Sequence, residues 1–400
     1  MRAAAYLYPW DVDGDPAAAD RIAGLGLTEV ALAAAYHAVR AVTPRHPEHR
    51  IVTRDAAVYY RPDPARWSGQ VLSPAAAGPA GSFERAAQRL RAAGITVTAW
   101  VVLAHNSRLA AAAPQHAVRN AFGDRYPWAL CAGAPAVRQY AAALAAEAAA
   151  LDGAAGIELE ACGWYGFEHG SAHDKTGGVA GPSGPAGTAG DWLLSLCFCA
   201  ACGHAYRSAG ADPGDLAALV AAAADGGPTL PGDVADVLDA TRAAASRLLL
   251  GEVLAAVRAA APGKPVLVHS SPDPRAVGAN PGYDPAVLCG PGGADGIVLS
   301  CGDPAAAASL VARTAAAAPP GSRIAANLLA VAGLGGDPQT LPAQAAAVRA
   351  AGATELRIYH AGLAAPTDLA AIRALCRAEV GSGADSASDP SGRIASSPDR

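Results

Sequence analysis

Eight short, almost unbroken apolar runs recur along the chain, separated by alanine-rich stretches with helical spacing, and no other feature constrains the fold as much. The runs are 3–8 (AAAYLY), 28–36 (TEVALAAAY), 95–104 (ITVTAWVVLA), 156–161 (GIELEA), 265–270 (PVLVHS), 295–301 (DGIVLSC), 323–331 (RIAANLLAV) and 355–361 (ELRIYHA). Continuous rather than alternating apolarity marks strands covered on both faces. A strand followed by a helix, repeated, is the pattern of parallel strands joined by crossovers. The helical stretches are 82–93, 135–151, 233–260, 304–318, 342–351 and 367–378. The first opens on Ser82 with Glu84 and Arg85 in its first turn, and the second starts on Pro135, where a missing N–H costs nothing.

Eight units in a chain of 400 residues predict an α/β (β/α)8 barrel of about 250 residues with insertions. The surplus falls at 37–81, after the second run, and at 162–232, after the fourth. Both insertions therefore belong to the C-terminal face, where barrels of this kind build their sites. The expected organisation is one barrel domain over 1–379, including both insertions. A disordered tail over 380–400 is expected because GSGADSASDPSGRIASSPDR has no periodicity and is rich in Ser, Gly, Asp and Pro.

The 52% hydrophobic content is ample for a core, but much of it is alanine, so burial must come from Val, Ile and Leu in the runs. With 30 basic residues against 35 acidic ones, the chain has no cationic stripe to neutralise phosphates, which argues against nucleic acid as a partner. No segment is long and apolar enough to enter a membrane. MRAAAYLYPW runs straight into the first strand without the apolar core of a secretory signal. The expectation is a soluble, cytoplasmic protein, and association into a homo-oligomer is compatible with this composition.

Eight cysteines, at 131, 162, 197, 199, 202, 289, 301 and 376, would then be free thiols or metal ligands. Three of them fall in CFCAACGH (197–204), inside the second insertion. The Cys-x-Cys-x-x-Cys spacing brings three sulfurs close enough to converge on a tetrahedral ion such as zinc, with a fourth ligand from elsewhere. Plain packing of small side chains, or a redox pair of Cys199 and Cys202, are the competing readings.

A cysteine after the third strand followed by C-x-C-x-x-C after the fourth resembles the zinc cluster of family 42 β-galactosidases, which are (β/α)8 barrels. FGDRYPWALCAGAPAVRQYAAALAAE (122–147), GIELEACGWYG (156–166) and CFCAACGHAYR stand in the same order and at similar separations. The resemblance spans 95–210. It implies Cys131 as the fourth ligand beside Cys197, Cys199 and Cys202, with His204 as the alternative, and one zinc per chain. A closed four-sulfur site is structural because it leaves no position for water. Barrel glycosidases carry a general acid at the end of strand 4 and a glutamate nucleophile at the end of strand 7. The resemblance thus assigns the acid to Glu160, but RIAANLLAV offers Asn327 and no acid.

The residues point the same way for Glu160. Glu158 and Glu160 are two apart on one strand and share a face, and a carboxylate among buried strands is costly unless it is used. Enclosure by Trp164, Tyr165 and Phe167 would raise the pKa of Glu160 and make it a proton donor to a glycosidic oxygen. A salt bridge to a barrel arginine is the alternative. Candidates for a second carboxylate are Glu158, Asp303, Asp273, Asp11 and Asp13, and enough room for a water between the pair would permit inversion.

Rings and polar groups suited to a sugar cluster at the run ends. They are Tyr6, Tyr8 and Trp10; Tyr36 and His37; His105 and Asn106; Trp164; His269; Asn327; and Tyr359 and His360. EHGSAHDK (168–175) sets His169 and His173 four apart beside Glu168 and Asp174, ahead of a glycine-rich stretch. A lid whose histidines touch ligand, a metal site and a solvated loop all fit it.

The reading these features favour is a glycoside hydrolase-like enzyme acting on a small saccharide or glycoside, with a structural zinc. Two alternatives remain open. One is a metal-dependent barrel enzyme (a sugar isomerase, lyase or amidohydrolase-like protein) in which Glu158 or Glu160 with His169, His173 and His269 hold a catalytic cation. The other is a barrel that binds saccharide without turnover.

Overall fold

The computed structural model describes residues 1–167 and 189–384. Every expected run is a strand: β1 (Arg2–Leu7), β2 (Glu29–Tyr36), β3 (Thr96–Val102), β4 (Gly156–Glu160), β5 (Val266–His269), β6 (Gly296–Ser300), β7 (Arg323–Leu329) and β8 (Glu355–Tyr359). Each pairs in parallel with its sequence neighbour, and β1 pairs with both β2 (Tyr6 opposite Ala31) and β8 (Ala4 opposite Arg357). The sheet therefore closes into a (β/α)8 barrel.

Strand alternation divides each run between two environments. Ile157, Leu159, Val266, Val268, Ile297 and Leu299 join the large apolar core shared with the helices. Leu267, Val298 and Ala325 form a small separate apolar cluster inside the barrel. The inward positions that continue these toward the C-terminal ends are His269, Ser300 and Asn327 on β5 to β7, with Trp100, Glu160 and Tyr359 on β3, β4 and β8. The site is thus the last inward layer of the barrel.

The surrounding helices are α1 (Ala18–Ala23), α2 (Ser82–Ala92), α3 (Pro135–Ala150), α4 (Gly232–Ala260), α5 (Pro285–Leu288), α6 (Pro304–Ala317), α7 (Leu341–Ala350) and α8 (Pro366–Ala384). Pro135, Pro285 and Pro304 begin α3, α5 and α6, where proline's fixed φ suits the first turn. Helix α8 passes the expected boundary at 379; residues 385–400 of the expected tail lie outside the described residues. None of the described helices is long and apolar enough to cross a membrane.

The insertion after β2 contains structure that the apolar periodicity did not signal. An antiparallel hairpin joins Val39–Val42 to Ile51–Arg54, and Ala57–Val58 adds antiparallel to the end of β2. Buried Glu147 on α3 ties this insertion down, accepting from Tyr60 OH (3.0 Å), Trp67 Nε1 (2.9 Å) and the Asp63 backbone N–H (2.6 Å). A second unforeseen hairpin, Ala117–Arg119 with Arg125–Leu130, follows β3. The described part of the insertion after β4 is helical: Ala189–Ser195, Ala200–Ser208 and Pro213–Ala224.

Candidate active site and candidate metal centre

A cavity of about 240 Å³ opens among the C-terminal ends of the barrel strands. Glu160, 8% exposed, is the one carboxylate lining it among the described residues. It accepts a hydrogen bond from Trp100 Nε1 at 2.8 Å. Burial pushes its carboxyl above the usual range, against the opposing pull of the His269 charge and the Trp100 bond. The wall beside it is Trp100, flanked edge-on by Tyr36 at 4.6 Å between ring centroids and by Tyr359 at 6.4 Å. The expected enclosure by Trp164, Tyr165 and Phe167 is not found, since these residues do not line the cavity. Trp164 instead donates to the Ser195 carbonyl at 2.7 Å, fastening the insertion after β4.

Glu158 lies one layer deeper, fully buried, and does not line the cavity. Its carboxylate accepts from Tyr6 OH, from His269 Nε2 at 2.9 Å and from Arg357 Nε at 2.8 Å. Burial alone would raise its pKa, but the Arg357 charge and the bonds from His269 and Tyr6 outweigh it and hold the carboxyl well below the ordinary range. Arg357 also reaches Glu355 at 3.1 Å and Glu29 at 3.7 Å. The salt bridge considered for Glu160 is therefore made by Glu158, which is corrected from a second cavity acid to the anchor of a buried ion network.

The other candidate carboxylates also have structural partners. Asp303 is exposed and caps α6, accepting from the Ala305 N–H at 3.0 Å, because a short acceptor preceding Pro304 satisfies the free donors of the first turn. Asp13 pairs with Arg85 at 2.7 Å, and Asp273 accepts from the Arg275 N–H at 2.9 Å. Asp11 accepts from the Tyr8 N–H at 2.8 Å, and burial raises it to about 7.

Of the expected binding residues, Tyr6, Tyr36, His37, His269, Asn327 and Tyr359 line the cavity. Tyr8, Trp10, His105, Asn106, Trp164 and His360 do not, and chain direction explains why. Asn106 caps the helix Ser107–Ala112 by accepting from the Leu109 N–H at 2.9 Å, and donates to Tyr140 OH at 3.2 Å. His105 Nδ1 lies 2.7 Å from Tyr165 OH, and its ring stacks on His37 at 4.2 Å. Tyr8 stacks between Trp10 (4.5 Å) and His360 (4.4 Å). His360 is fully buried, and desolvation pulls its imidazole down to about 3. Trp10 faces a neighbouring cavity of about 300 Å³ with Asp13, Arg54, Tyr59 and Arg85. Glu168, His169, His173 and Asp174 lie outside the described residues.

Six lining residues were missed: Trp100, Ala279, Asn280, Ser300, Gly302 and Leu329, of which Trp100, Asn280 and Ser300 bring polar side-chain groups. Trp100 carried a usable signal, because an indole N–H in a buried strand needs an acceptor. Asn280 carried none, since it arrives from the loop after β5. The Oδ1 atoms of Asn280 and Asn327 are both buried without a hydrogen-bond partner among the described residues.

On the same side of the barrel the four cysteines meet. Cys131 follows the strand Arg125–Leu130, Cys197 and Cys199 precede the helix Ala200–Ser208, and Cys202 sits in that helix. All four are buried, and their sulfurs lie within 4.8 Å of one another. Cys131 Sγ is 3.5 Å from Cys202 Sγ and 3.6 Å from Cys199 Sγ, too far for disulfides. The backbone N–H groups of Arg119 and Cys199 donate to Cys197 Sγ, each at 3.4 Å. A Cβ at Gly133 would come within 3.3 Å of Cys202 Sγ and 3.5 Å of Cys131 Sγ, so any larger side chain there would press on the cluster. His204 is exposed and outside the group. Four converging sulfurs could hold a metal ion such as zinc.

No protein-family profile and no curated protein matches this sequence. Solved structures do resemble it in fold. α-L-Fucosidase isoenzyme 2 from Paenibacillus thiaminolyticus is 12% identical with a TM-score of 0.57, over 96% of this chain and 50% of that one. The β-galactosidase of the psychrophilic Marinomonas ef1 is 10% identical with a TM-score of 0.58, over 96% and 60%. Gan42B, a GH42 β-galactosidase from G. stearothermophilus, is 11% identical with a TM-score of 0.53, over 94% and 56%. At such identities the likeness is one of fold. This chain spans only half to three fifths of the length of the first two.

Proposed function

We propose that this chain is a glycoside hydrolase-like barrel that binds a small saccharide or glycoside in the 240 Å³ cavity and protonates the glycosidic oxygen from Glu160. The observation that carries the reading is Glu160 itself: a carboxyl whose pKa burial raises above the usual range, at the open end of a barrel, hydrogen-bonded to Trp100. A carboxylic acid with a raised pKa beside an aromatic wall is the arrangement that donates a proton to a departing sugar oxygen. Tyr36, Trp100 and Tyr359 offer rings for the apolar face of a sugar. The unpartnered oxygens of Asn280 and Asn327 are acceptors that sugar hydroxyls would satisfy, and a buried acceptor left alone is costly. The cavity's size suits one sugar ring better than an extended chain.

In this reading Cys131, Cys197, Cys199 and Cys202 hold one zinc, as in the family 42 β-galactosidases that this region resembles. The ion would tie the insertion after β4 to the loop after β3 and take no part in bond cleavage, because all four positions are filled by sulfur.

A second reading is supported by one observation: Glu160 has no second carboxylate beside it in the described cavity, and Asn327 stands at the end of β7. A barrel that binds saccharide without cleaving it would look the same. Turnover of a panel of aryl glycosides, with Glu160→Gln as control, separates the two. Hydrolysis that Glu160→Gln abolishes supports the first reading. Binding of sugars by calorimetry with no hydrolysis of any member supports the second.

A further inference from the structure

We infer that the cavity of about 300 Å³ faced by Trp10 is a second ligand site, one that takes a small, singly charged organic carboxylate bearing hydroxyls, such as a sugar acid. The cavity lies between the loop after β1, the insertion after β2 and the start of α2, and it shares no lining residue with the cavity of Glu160. Nothing in the inference depends on the glycosidase reading above.

Two buried donors in its wall have nothing to donate to. Trp10 and Tyr59, 8% and 2% exposed, both line the cavity. Trp10 Nε1 and Tyr59 OH are buried without a hydrogen-bond partner among the described residues. The indole ring is already packed on Tyr8 at 4.5 Å and crossed by Tyr59 at 5.1 Å, so the N–H is what Trp10 has left to offer. An indole can only donate, and a buried donor left unserved is costly. An acceptor held in the cavity removes that cost.

The third donor is a cation. Arg54, at the end of the hairpin strand Ile51–Arg54, gives Nη1 to the Thr53 carbonyl at 2.8 Å. Its Nε and Nη2 make no hydrogen bond, and its charge no ion pair, among the described residues. That edge of the guanidinium, with two parallel N–H groups, is one that grips a carboxylate bidentately. Gly78 borders the edge without a side chain, and a Cβ there would already lie 3.9 Å from Arg54 Nε. The Arg54 charge also reaches the Tyr59 phenol, partly offsetting the rise in pKa that burial imposes on it.

The charges decide the class of anion. Asp13 is neutralised by Arg85, at 2.7 and 3.0 Å, and burial holds the His49 imidazole below its usual range. Among the described lining residues this leaves one unpaired cation, the half-buried Arg54, and one exposed anion, Glu48. Arg54 alone matches a monoanion, whereas a phosphate dianion would carry its second charge against Glu48 and Asp13. The same two carboxylates accept from hydroxyls on the rest of the ligand. Tyr59 is held in place beforehand: its N–H donates to the Ala34 carbonyl on β2 at 2.9 Å, and its own carbonyl accepts from Ser82 Oγ and the Phe83 N–H, both at 3.0 Å.

The test is calorimetric titration of the whole protein with D-glucuronate, with glucose as its uncharged counterpart and inorganic phosphate as the dianion. Glucuronate should bind, with glucose roughly tenfold or more weaker and phosphate also weaker. Arg54→Gln should weaken glucuronate roughly 10- to 100-fold, and Tyr59→Phe, which removes a single oxygen, roughly 3- to 10-fold. Glu160→Gln, in the other cavity, should bind it as the wild type does. Independently, the Trp10 indole proton, assigned with a Trp10→Phe variant, should move downfield in proton–nitrogen NMR as glucuronate is added. No binding of glucuronate, equal binding of glucose, tighter binding of phosphate, or full affinity in Arg54→Gln overturns the inference. Loss of binding in Glu160→Gln places the ligand in the barrel cavity and overturns it too, as does an unmoved Trp10 resonance. None of these outcomes bears on hydrolysis of glycosides, so this site and the proposed function stand or fall separately.

Discussion

Glu158 Oε2 lies 2.8 Å from Arg357 Nε in the middle of the barrel, and both side chains are almost wholly withdrawn from solvent. Removing one partner strands the other, which is the costly way to break a buried ion pair. Glu158→Gln should lower the unfolding free energy by about 3 to 5 kcal/mol, read by denaturant titration at pH 7. A change within experimental scatter would show that Glu355 and Glu29 compensate Arg357 without Glu158.

Glu160→Gln is expected to lower hydrolysis roughly 10²- to 10⁴-fold and yet not to destabilise the protein at neutral pH. The sign follows from the raised pKa of Glu160, caused first by burial. Its contribution to stability is full below the ordinary carboxylate pKa and declines as pH rises through the raised value. Glutamine cannot ionise, so the variant should melt at or above the wild-type temperature at pH 7, and the difference should shrink at pH 4. A variant that melts lower at pH 7 would contradict this.

Elemental analysis should find one zinc per chain, bound by Cys131, Cys197, Cys199 and Cys202. Cys202→Ser, or a strong chelator, should remove it and lower the melting temperature, because ligand geometry and fold are coupled through the ion. Two ions per chain would favour a catalytic cation instead. A metal-free protein of unchanged stability would leave the cysteines as packing.

Glu147→Leu removes the acceptor shared by Tyr60, Trp67 and the Asp63 backbone. Each stranded donor costs about 1 kcal/mol or more, so a loss of about 3 kcal/mol is expected. Hydrogen exchange should accelerate across residues 57–72 before it does in the barrel strands. Uniform acceleration over the whole chain would mean that the insertion is not an independent unit.

His360 adds an acid-sensitive contribution. Burial lowers its pKa to about 3, so the unfolded chain takes up a proton near pH 6.5 that the folded one refuses. Stability from this residue is complete above about pH 6.5 and is lost as pH falls toward about 3, on the order of 5 kcal/mol in total. His360→Phe should flatten that part of the stability profile. Parallel profiles for the two proteins would refute the assignment.

Much of the fold was legible because it is written locally. A strand buried on both faces must be apolar throughout, and eight such runs between alanine-rich helices leave few architectures besides a closed barrel. The hairpins after β2 and β3 were not legible because their strands are short and lack the continuous apolar run of a barrel strand, and the hydrogen bonds by which Glu147 holds residues 60–67 have no sequence period. Asn106, Asp303 and Trp164 had the right chemistry near the right strand ends, but each satisfies a backbone group close by.

The sequence by itself determined the eight-strand order, the acidic side chain at the end of the fourth strand and the grouping of three cysteines, since each depends on neighbours along the chain. Tertiary structure alone decided that Glu158 meets Arg357, that His269 stands beside Glu160, and that Cys131 joins the other three sulfurs. Those pairings join residues from about 70 to 200 positions apart, and only closure of the barrel, with its fixed register and inward alternation, brings them within hydrogen-bonding or ligand distance.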